Sequence, residues 1–427
     1  MTMIEEKNIS RRRFMKRGAT AAAAVASFNV LPSKDARAVE PITVGLIGCG
    51  GRGKSAIKEC LGSADEVKIA AVADLFPDNL AKAKEILEEM DSKVPDDRCF
   101  TGWDAYKKVM ETDVTYVIID VPPVFRAEML EAAINAKKHV FMEKPASVDA
   151  QGIRRIIAAG EKAKELGLSI AAGTQRRHQG DYIETIKRLH DGAIGEIMAA
   201  QAYWCGGPIG FRERQPSWSD VEFQIRNWYH FLWLSGDHIV EQHVHNLDVI
   251  NWIMGTHPIK AYGCGGCAWQ KRGNIWDHHA IDFEYPNGVH MTSLCGQTPR
   301  PEGQSWVKES VQGTKGVSNC ANWIKGLSEW KYEGHHQNAY IQEHTDLIAS
   351  IRSGKPINEA RNVAESTMTA IMGRMAEYQN KEMTWEEAIN SNENLIIQPL
   401  ELGPNEPTPV AIPGGKEYTG KEGWNPG

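Results

Sequence analysis

Five short apolar runs punctuate residues 42–174: ITVGLIG (42–48), VKIAAVAD (67–74), VTYVIID (114–120), HVFMEK (139–144) and LSIAAGT (168–174). Each is rich in Val, Ile and Ala and apolar on both faces, as a buried parallel strand requires. Amphipathic stretches over 78–90, 103–110, 125–137 and 149–166 separate them. This alternation predicts an α/β fold: a doubly wound parallel sheet of Rossmann type, with right-handed helical crossovers.

The first run ends in Gly48-Cys49-Gly50-Gly51-Arg52-Gly53, a GxGxxG pattern at 48, 50 and 53. It follows a predicted strand and opens a predicted helix, the context in which glycines let a pyrophosphate approach a helix N-terminus. The second run ends in Asp74, about 20 residues on, where an acid meets the adenosine ribose. A carboxylate there repels a 2′-phosphate, so NAD is expected rather than NADP. The rival explanation is a plain glycine turn with a helix-capping Asp.

Ahead of this domain stands an export pattern. Ser10, Arg11, Arg12, Phe14 and Lys16 fit a twin-arginine signal. An alanine-rich segment (18–31) and a small-x-small cleavage site, Ala36-Arg37-Ala38, follow in order. Residues 1–38 are therefore expected to engage the twin-arginine export machinery, which implies a periplasmic or other extracytoplasmic location. No apolar run reaches the roughly 20 residues that span a bilayer. The formal net charge is −7, and residues 1–38 carry eight Lys/Arg against three Asp/Glu, so the rest of the chain is more acidic still, which argues against nucleic acid as a partner.

Of eight cysteines, only Cys264-Gly-Gly-Cys267 forms a close pair. No second CxxC completes a zinc site. The pair reads as buried thiols, with a disulfide formed after export left open. His238, His243 and His245 scatter around a helix, so no metal is expected.

Two motifs carry more chemistry. One is Glu143-Lys144-Pro145. The other is GDHIVEQHVHNLDVINWIMG (236–255), read as a helix capped by Asp237 and ended by Gly255. Val240, Val244, Leu247, Ile250 and Met254 form its apolar stripe. Glu241, His245, Asp248 and Trp252 follow one edge beside it, where groups would line a cleft. With the glycine loop and VIIDVPP (117–123), these motifs resemble the Gfo/Idh/MocA family, the oxidoreductases grouped around glucose–fructose oxidoreductase and inositol 2-dehydrogenase. The resemblance covers roughly residues 40–390.

The resemblance implies that Lys144 and His245 act together, with an acid at position 241. Oxidation of a secondary alcohol sends hydride to a nicotinamide and a proton to a base, for which His is suited. Glu241, one turn before His245, is expected to fix the imidazole tautomer. Gly48, Gly50, Gly51, Arg52, Gly53, Asp74, Pro122, Glu143 and Lys144 are expected at the cofactor. Three residues depart from the family pattern: Glu241 stands where Asp is frequent, Arg126 where a His is common, and Asp120 where a small residue is usual. Neither Arg126 nor Asp120 is given a substrate role.

The domains are read as 39–176 for the dinucleotide and 177–398 for the substrate and oligomer contacts. Residues 399–427, rich in Pro and Gly, are expected to form an extended arm or a disordered tail. The second domain contains strand-like IGEIMAAQAYWC, IKAYGCGGCAW, HHAIDFEYPNG and VHMTSLC, with a Pro286-Asn287-Gly288 hairpin signal. It is expected to be α+β with a mostly antiparallel sheet, one face of which forms a homo-oligomer interface. Helices are expected over 339–353 and 363–379. Arg176, His178, Tyr182, Trp228 and Asp248 are candidate substrate contacts, suited to a sugar, glycoside or cyclitol. The leading expectation is an exported oxidoreductase with a tightly bound NAD. The alternative is an NAD-dependent glycosidase working by transient oxidation, elimination and re-reduction, with His178 or Tyr182 as the additional base. A non-catalytic sugar-binding protein comes third.

Overall fold

A computed structural model describes residues 41–269 and 272–414. The expected signal (1–38) and the end of the C-terminal arm lie outside the described residues.

The first half forms a six-stranded sheet in the order β3-β2-β1-β4-β5-β6, all parallel. The strands are β1 (Ile42–Ile47), β2 (Val67–Asp74), β3 (Cys99–Thr101), β4 (Tyr116–Ile119), β5 (His139–Met142) and β6 (Ile170–Ala172). Helices α1 (Gly51–Leu61), α2 (Pro77–Glu89), α3 (Ala105–Met110), α4 (Arg126–Asn135) and α5 (Ala150–Glu165) connect them. The sequence reading missed β3. Three residues at a sheet edge show no periodicity, and only their pairing with β2 makes them a strand. Asp149 caps α5 through the Gly152 N–H at 2.8 Å.

Residues 177 onward build a second sheet. Its strands are β7 (Ile197–Gly206), β8 (Lys260–Gly266), β9 (His278–Glu284), β10 (His290–Gln297), β11 (Trp306–Gly313), β12 (Gly316–Ser318), β13 (Trp323–Gly326), β14 (Trp330–Lys331) and β15 (Met383–Thr384). The order is β14-β13-β12-β11-β7-β10-β9-β8-β15. Every pairing is antiparallel except β7 with β10. The helices are α6 (Gly180–His190), α7 (Asp220–Arg226), α8 (Leu232–Ser235), α9 (Val244–Met254), α10 (Ala339–Ser353), α11 (Ala360–Gln379) and α12 (Trp385–Ile389).

Strand alternation splits the first sheet's core into two layers. Tyr116, Ile118 and Phe141 face one side with Ile57, Leu80, Leu347 and Ile348. Val117, Ile119 and Val140 face the other with Val109, Leu130, Ile153 and Ile156. Leu347 and Ile348 belong to α10, which the sequence reading grouped with the second domain. The chain instead returns to cover the Rossmann sheet, and the Ser350 hydroxyl donates to Ser169 Oγ at 2.8 Å.

The 236–255 helix differs from expectation at its start. Asp237 has φ +88° and does not cap. Its carboxylate accepts from the His238 N–H, the Trp276 N–H and the Tyr378 hydroxyl, with His279 Nε2 at 3.4 Å. A π turn, Ile239–His243, then precedes α9. π turns concentrate at functional sites, and this one carries Glu241. The segment is buried nearly all round, including Glu241, His245 and Asp248, rather than along one stripe. Gly255, in the left-handed region at φ +68°, ends it as predicted.

Candidate active site

The loop after β1 is shaped by close approach. Gly48 has φ +100°, and a Cβ there would sit 2.1 Å from the Asp120 carbonyl oxygen. A Cβ on Gly53 would sit 1.9 Å from the Gly48 carbonyl oxygen. Gly50 and Gly51, by contrast, face open space at the start of α1. The result is a cradle of backbone above a helix N-terminus, the geometry that takes a diphosphate. Asp74 ends β2 beside it. Its carboxylate accepts the N–H groups of Cys49 (2.6 Å) and Phe76 (2.7 Å) and the Asn79 amide (3.2 Å). Burial raises its pKa. Gly48, Gly50, Gly51, Arg52, Asp74 and Pro122 line one cleft of about 330 Å³. The open cradle and the acid at the end of β2 fit an NAD-type dinucleotide, held by the glycine loop and Asp74.

Arg52 lines the same cleft, but its guanidinium is engaged elsewhere. It pairs with Glu143 at 2.5 Å and Glu59 at 2.6 Å and lies 4.9 Å from the Tyr340 ring centroid. Glu143 is thereby fixed beneath the loop that carries Lys144. Gly53 and Glu143 thus act through packing and an ion pair.

Of the departures at 120 and 126, Arg126 has a structural role. Buried Arg126 donates to the carbonyls of Val121 (2.9 Å) and Pro145 (2.5 Å). It ties the Pro122 loop to the Glu143-Lys144-Pro145 loop. Asp120 faces the cleft with Oδ2 unpartnered among the described residues. Burial, then the Glu143 charge, push its carboxyl up to about 8.

Lys144 leaves the C-terminal end of β5, beside the strand where the sheet order reverses, the usual place for a ligand in such folds. Its Nζ donates to the Glu241 carbonyl at 2.7 Å and to Glu241 Oε1 at 2.9 Å. Glu241 therefore holds the ammonium and does not set the His245 tautomer as expected. The extra methylene of Glu, on a π turn, takes its carboxylate to the lysine. His245 is buried and stacked on Trp204, with centroids 5.6 Å apart and planes 22° from parallel. Burial first, then the Lys144 and Arg176 cations, hold the imidazole well below its usual pKa. It is neutral at physiological pH.

Behind His245 lies a residue that sequence reasoning missed, Glu309 on β11. Its carboxylate meets Arg176, the Tyr182 hydroxyl (3.2 Å) and the Asn246 amide. Arg176 also lies over the Tyr182 ring, 5.6 Å from its centroid. Arg176 and Tyr182 are thus brought together, joined by a buried acid. The available signal was β-strand alternation, since Glu309 shares the inward face with Val311.

Three other candidates lie away from the expected substrate position. Asp248 is filled by the Arg177 fork, at 2.9 and 2.8 Å, and by the Ser366 hydroxyl at 2.7 Å. His178 bridges Asp346 (2.6 Å) and Glu359 (3.1 Å). Burial alone would lower its pKa, but these acids outweigh that and push it up to about 10. An imidazole already protonated at neutral pH is unsuited to serve as the additional base. Trp228 lines the cofactor cleft together with Gly48. Among the described residues, no group of three or more His, Cys, Asp or Glu could hold a metal ion. Cys264 is exposed and Cys267 half-buried, not the buried thiols expected, and the two are not in a disulfide.

Comparison with known proteins agrees with this architecture. Residues 42–171 match the oxidoreductase family described as having an NAD-binding Rossmann fold, and residues 182–318 match the Gfo/Idh/MocA C-terminal domain. The chain is 27% identical over 337 residues to an inositol 2-dehydrogenase of Rhizobium meliloti, covering 75% of this chain and 92% of that one. It is 22% identical over 352 residues to an alpha-N-acetylgalactosaminidase of Shewanella oneidensis, covering 73% of each. In fold it is similar to scyllo-inositol dehydrogenase from Lactobacillus casei, solved with bound NAD(H) and scyllo-inositol. The TM-score is 0.62 at 20% identity, covering 81% of this chain and 100% of that one. With a parallel NAD-binding sheet, a second antiparallel sheet and matches across both, the chain belongs to the Gfo/Idh/MocA family of oxidoreductases.

Proposed function

We propose that the protein oxidises a secondary alcohol of a cyclitol, sugar or glycoside, using an NAD that stays bound between turnovers. The observation that carries this reading is the Lys144–Glu241 pair beside a neutral, buried His245. The glycine loop and Asp74 would hold NAD, which would supply the acceptor for the hydride of the carbinol carbon. His245 takes the hydroxyl proton on a ring nitrogen, since burial and two nearby cations keep that ring uncharged. Lys144 spends two N–H groups on Glu241 and retains a third for the substrate oxygen, where its charge stabilises the developing alkoxide. Glu241 keeps the ammonium in place. Trp204, stacked on His245, excludes water from one face of the ring.

Residues 10–38 support export by the twin-arginine route, which carries folded proteins. A cofactor acquired before export would have to remain bound and be recycled within the site. The glycosidase reading rests on the likeness to the Shewanella oneidensis enzyme, and the placement of His178 and Tyr182 counts against either as its extra base. Incubation of the purified protein with cyclitols, sugars and nitrophenyl glycosides separates the two. Net reduced nicotinamide without aglycone release supports the dehydrogenase. Steady aglycone release without net reduction overturns it. Export is tested by fractionating cells that carry Arg11→Lys with Arg12→Lys: retention of the variant in the cytoplasm supports the signal, and unchanged export refutes it.

A further inference from the structure

The cofactor cleft has a second wall that comes from the other half of the chain. Between β7 and α9 the chain crosses to the first sheet, and Arg212, Ile225, Arg226 and Trp228 line the same cleft as the glycine loop. Arg226 fastens this segment to the Rossmann side. It pairs with Asp78 on α2 at 2.9 Å and stacks 4.0 Å from the Phe76 ring centroid. Arg212 is presented by Asn227, which accepts its N–H at 2.7 Å and donates to its carbonyl at 3.1 Å. The Arg212 side chain is exposed to the cleft and has no acidic partner among the described residues.

The C-terminal tail holds this segment from outside. The Val221 N–H donates to the Gly403 carbonyl (3.2 Å) and the Asn405 N–H to Asp220 (3.0 Å). The Gln224 amide donates to the Asn405 carbonyl at 2.6 Å and accepts from the Trp233 indole at 2.7 Å. One apolar cluster joins all three parts. It combines Phe76 and Phe125 from the Rossmann side, Val221, Ile225 and Trp233 from the crossing segment, and Leu395, Ile397 and Leu400 from the tail. The tail described to residue 414 therefore follows its own chain rather than projecting from it.

We propose that the 207–235 segment, strapped by residues 395–411, is a clamp on the dinucleotide. Arg212 meets the diphosphate of the cofactor, and the strap sets how slowly the cofactor leaves. The inference deepens the reading of a cofactor that stays bound, and rests on it. Release requires the crossing segment to lift from the glycine loop. Lifting it breaks the Arg226–Asp78 contact and opens an apolar cluster that the tail closes. A cation without an acidic partner, lining the same cleft as the glycine cradle, suits the two charges of a diphosphate.

The test compares full-length protein with Arg212→Gln, Leu400→Ser and, as a control on the far sheet, Leu327→Ser, which alters a side chain 84% exposed. NAD dissociation is followed by fluorescence during a chase with excess ADP-ribose, and melting of the nucleotide-free forms reports folding. Arg212→Gln and Leu400→Ser are each expected to release NAD on the order of 10-fold faster, the scale of one charge-assisted hydrogen bond. The control should match the wild type. The ratio of rates judges the clamp, and the absolute wild-type rate judges the tightly bound cofactor. Wild type that releases NAD within seconds refutes tight binding. Equal rates for wild type and Arg212→Gln, a surface change that leaves the fold intact, overturn the clamp even if Leu400→Ser lowers the melting temperature.

Discussion

Lys144 Nζ lies 2.9 Å from Glu241 Oε1 and 2.7 Å from the Glu241 backbone carbonyl, so one residue grips the ammonium twice. The carboxylate that helix spacing directs at His245 serves the lysine instead. The proposed catalytic groups therefore divide into an anchored cation and an uncharged imidazole. Lys144→Ala and His245→Ala should each lower kcat by about 10²–10⁴-fold, the usual range for a positioned proton-transfer group. Glu241→Gln keeps both hydrogen-bond acceptors and should lose less. Stopped-flow reduction of bound NAD measures all three, and NAD titration should show near-normal binding. Substantial turnover in both alanine variants would mean that the chemistry lies elsewhere.

The glycine loop offers a sharp internal contrast. Gly51→Ala adds a methyl that meets nothing within 4 Å, at a helix start where Ala is favoured. It should leave the melting temperature unchanged and weaken NAD binding, because the methyl occupies cofactor space. Gly53→Ala drives a methyl into the Gly48 carbonyl and should lower both stability and binding. Paired thermal melts and isothermal titration with NAD distinguish the two effects. Equal melting losses in both variants would contradict the cradle.

Asp74→Asn tests cofactor choice. The amide retains an oxygen for one of the two backbone N–H groups now bonded at 2.6 and 2.7 Å, while removing the charge that repels a 2′-phosphate. The ratio of NADP to NAD affinity should rise by at least about 10-fold. An unchanged ratio would assign discrimination to another residue.

His178 supplies a pH signature. Its folded pKa of about 10 lies above the ordinary 6.5. A raised histidine pKa stabilises the fold fully below the unfolded value and loses that contribution as pH rises through the folded value. The stability advantage of wild type over His178→Gln should be largest below pH 6.5 and shrink toward pH 10. Urea titrations across that range measure it. An advantage that grows with pH would show that the Asp346 and Glu359 contacts do not hold a cation.

Much of the fold was legible in the chain. The five runs over 42–174 became strands because doubly buried Val, Ile and Ala segments have few other stable arrangements. Gly48 and Gly53 followed from close approaches that a side chain would block, and Gly255 from a left-handed φ that a side chain strains. Helix α10 was located to the residue, yet its partner was not. Nothing local distinguishes a helix that covers the first sheet from one that covers the second.

Periodicity, turns and the cofactor loop depend on neighbours a few residues apart, and the amino-acid order by itself determined them. The charge pairings depend on neighbours brought together by folding, so only the tertiary structure decided them. Arg176 finds Glu309, His178 finds Asp346 and Glu359, and Asp248 is taken by Arg177 and Ser366. A buried charge must find a partner or lose its ionisation. Which acid supplies that partner is fixed by the packing of strands and helices far apart in the chain. For the same reason the Glu241 carboxylate reached Lys144 rather than His245: a π turn rotated it, and a turn of that kind leaves no mark in the spacing of residues.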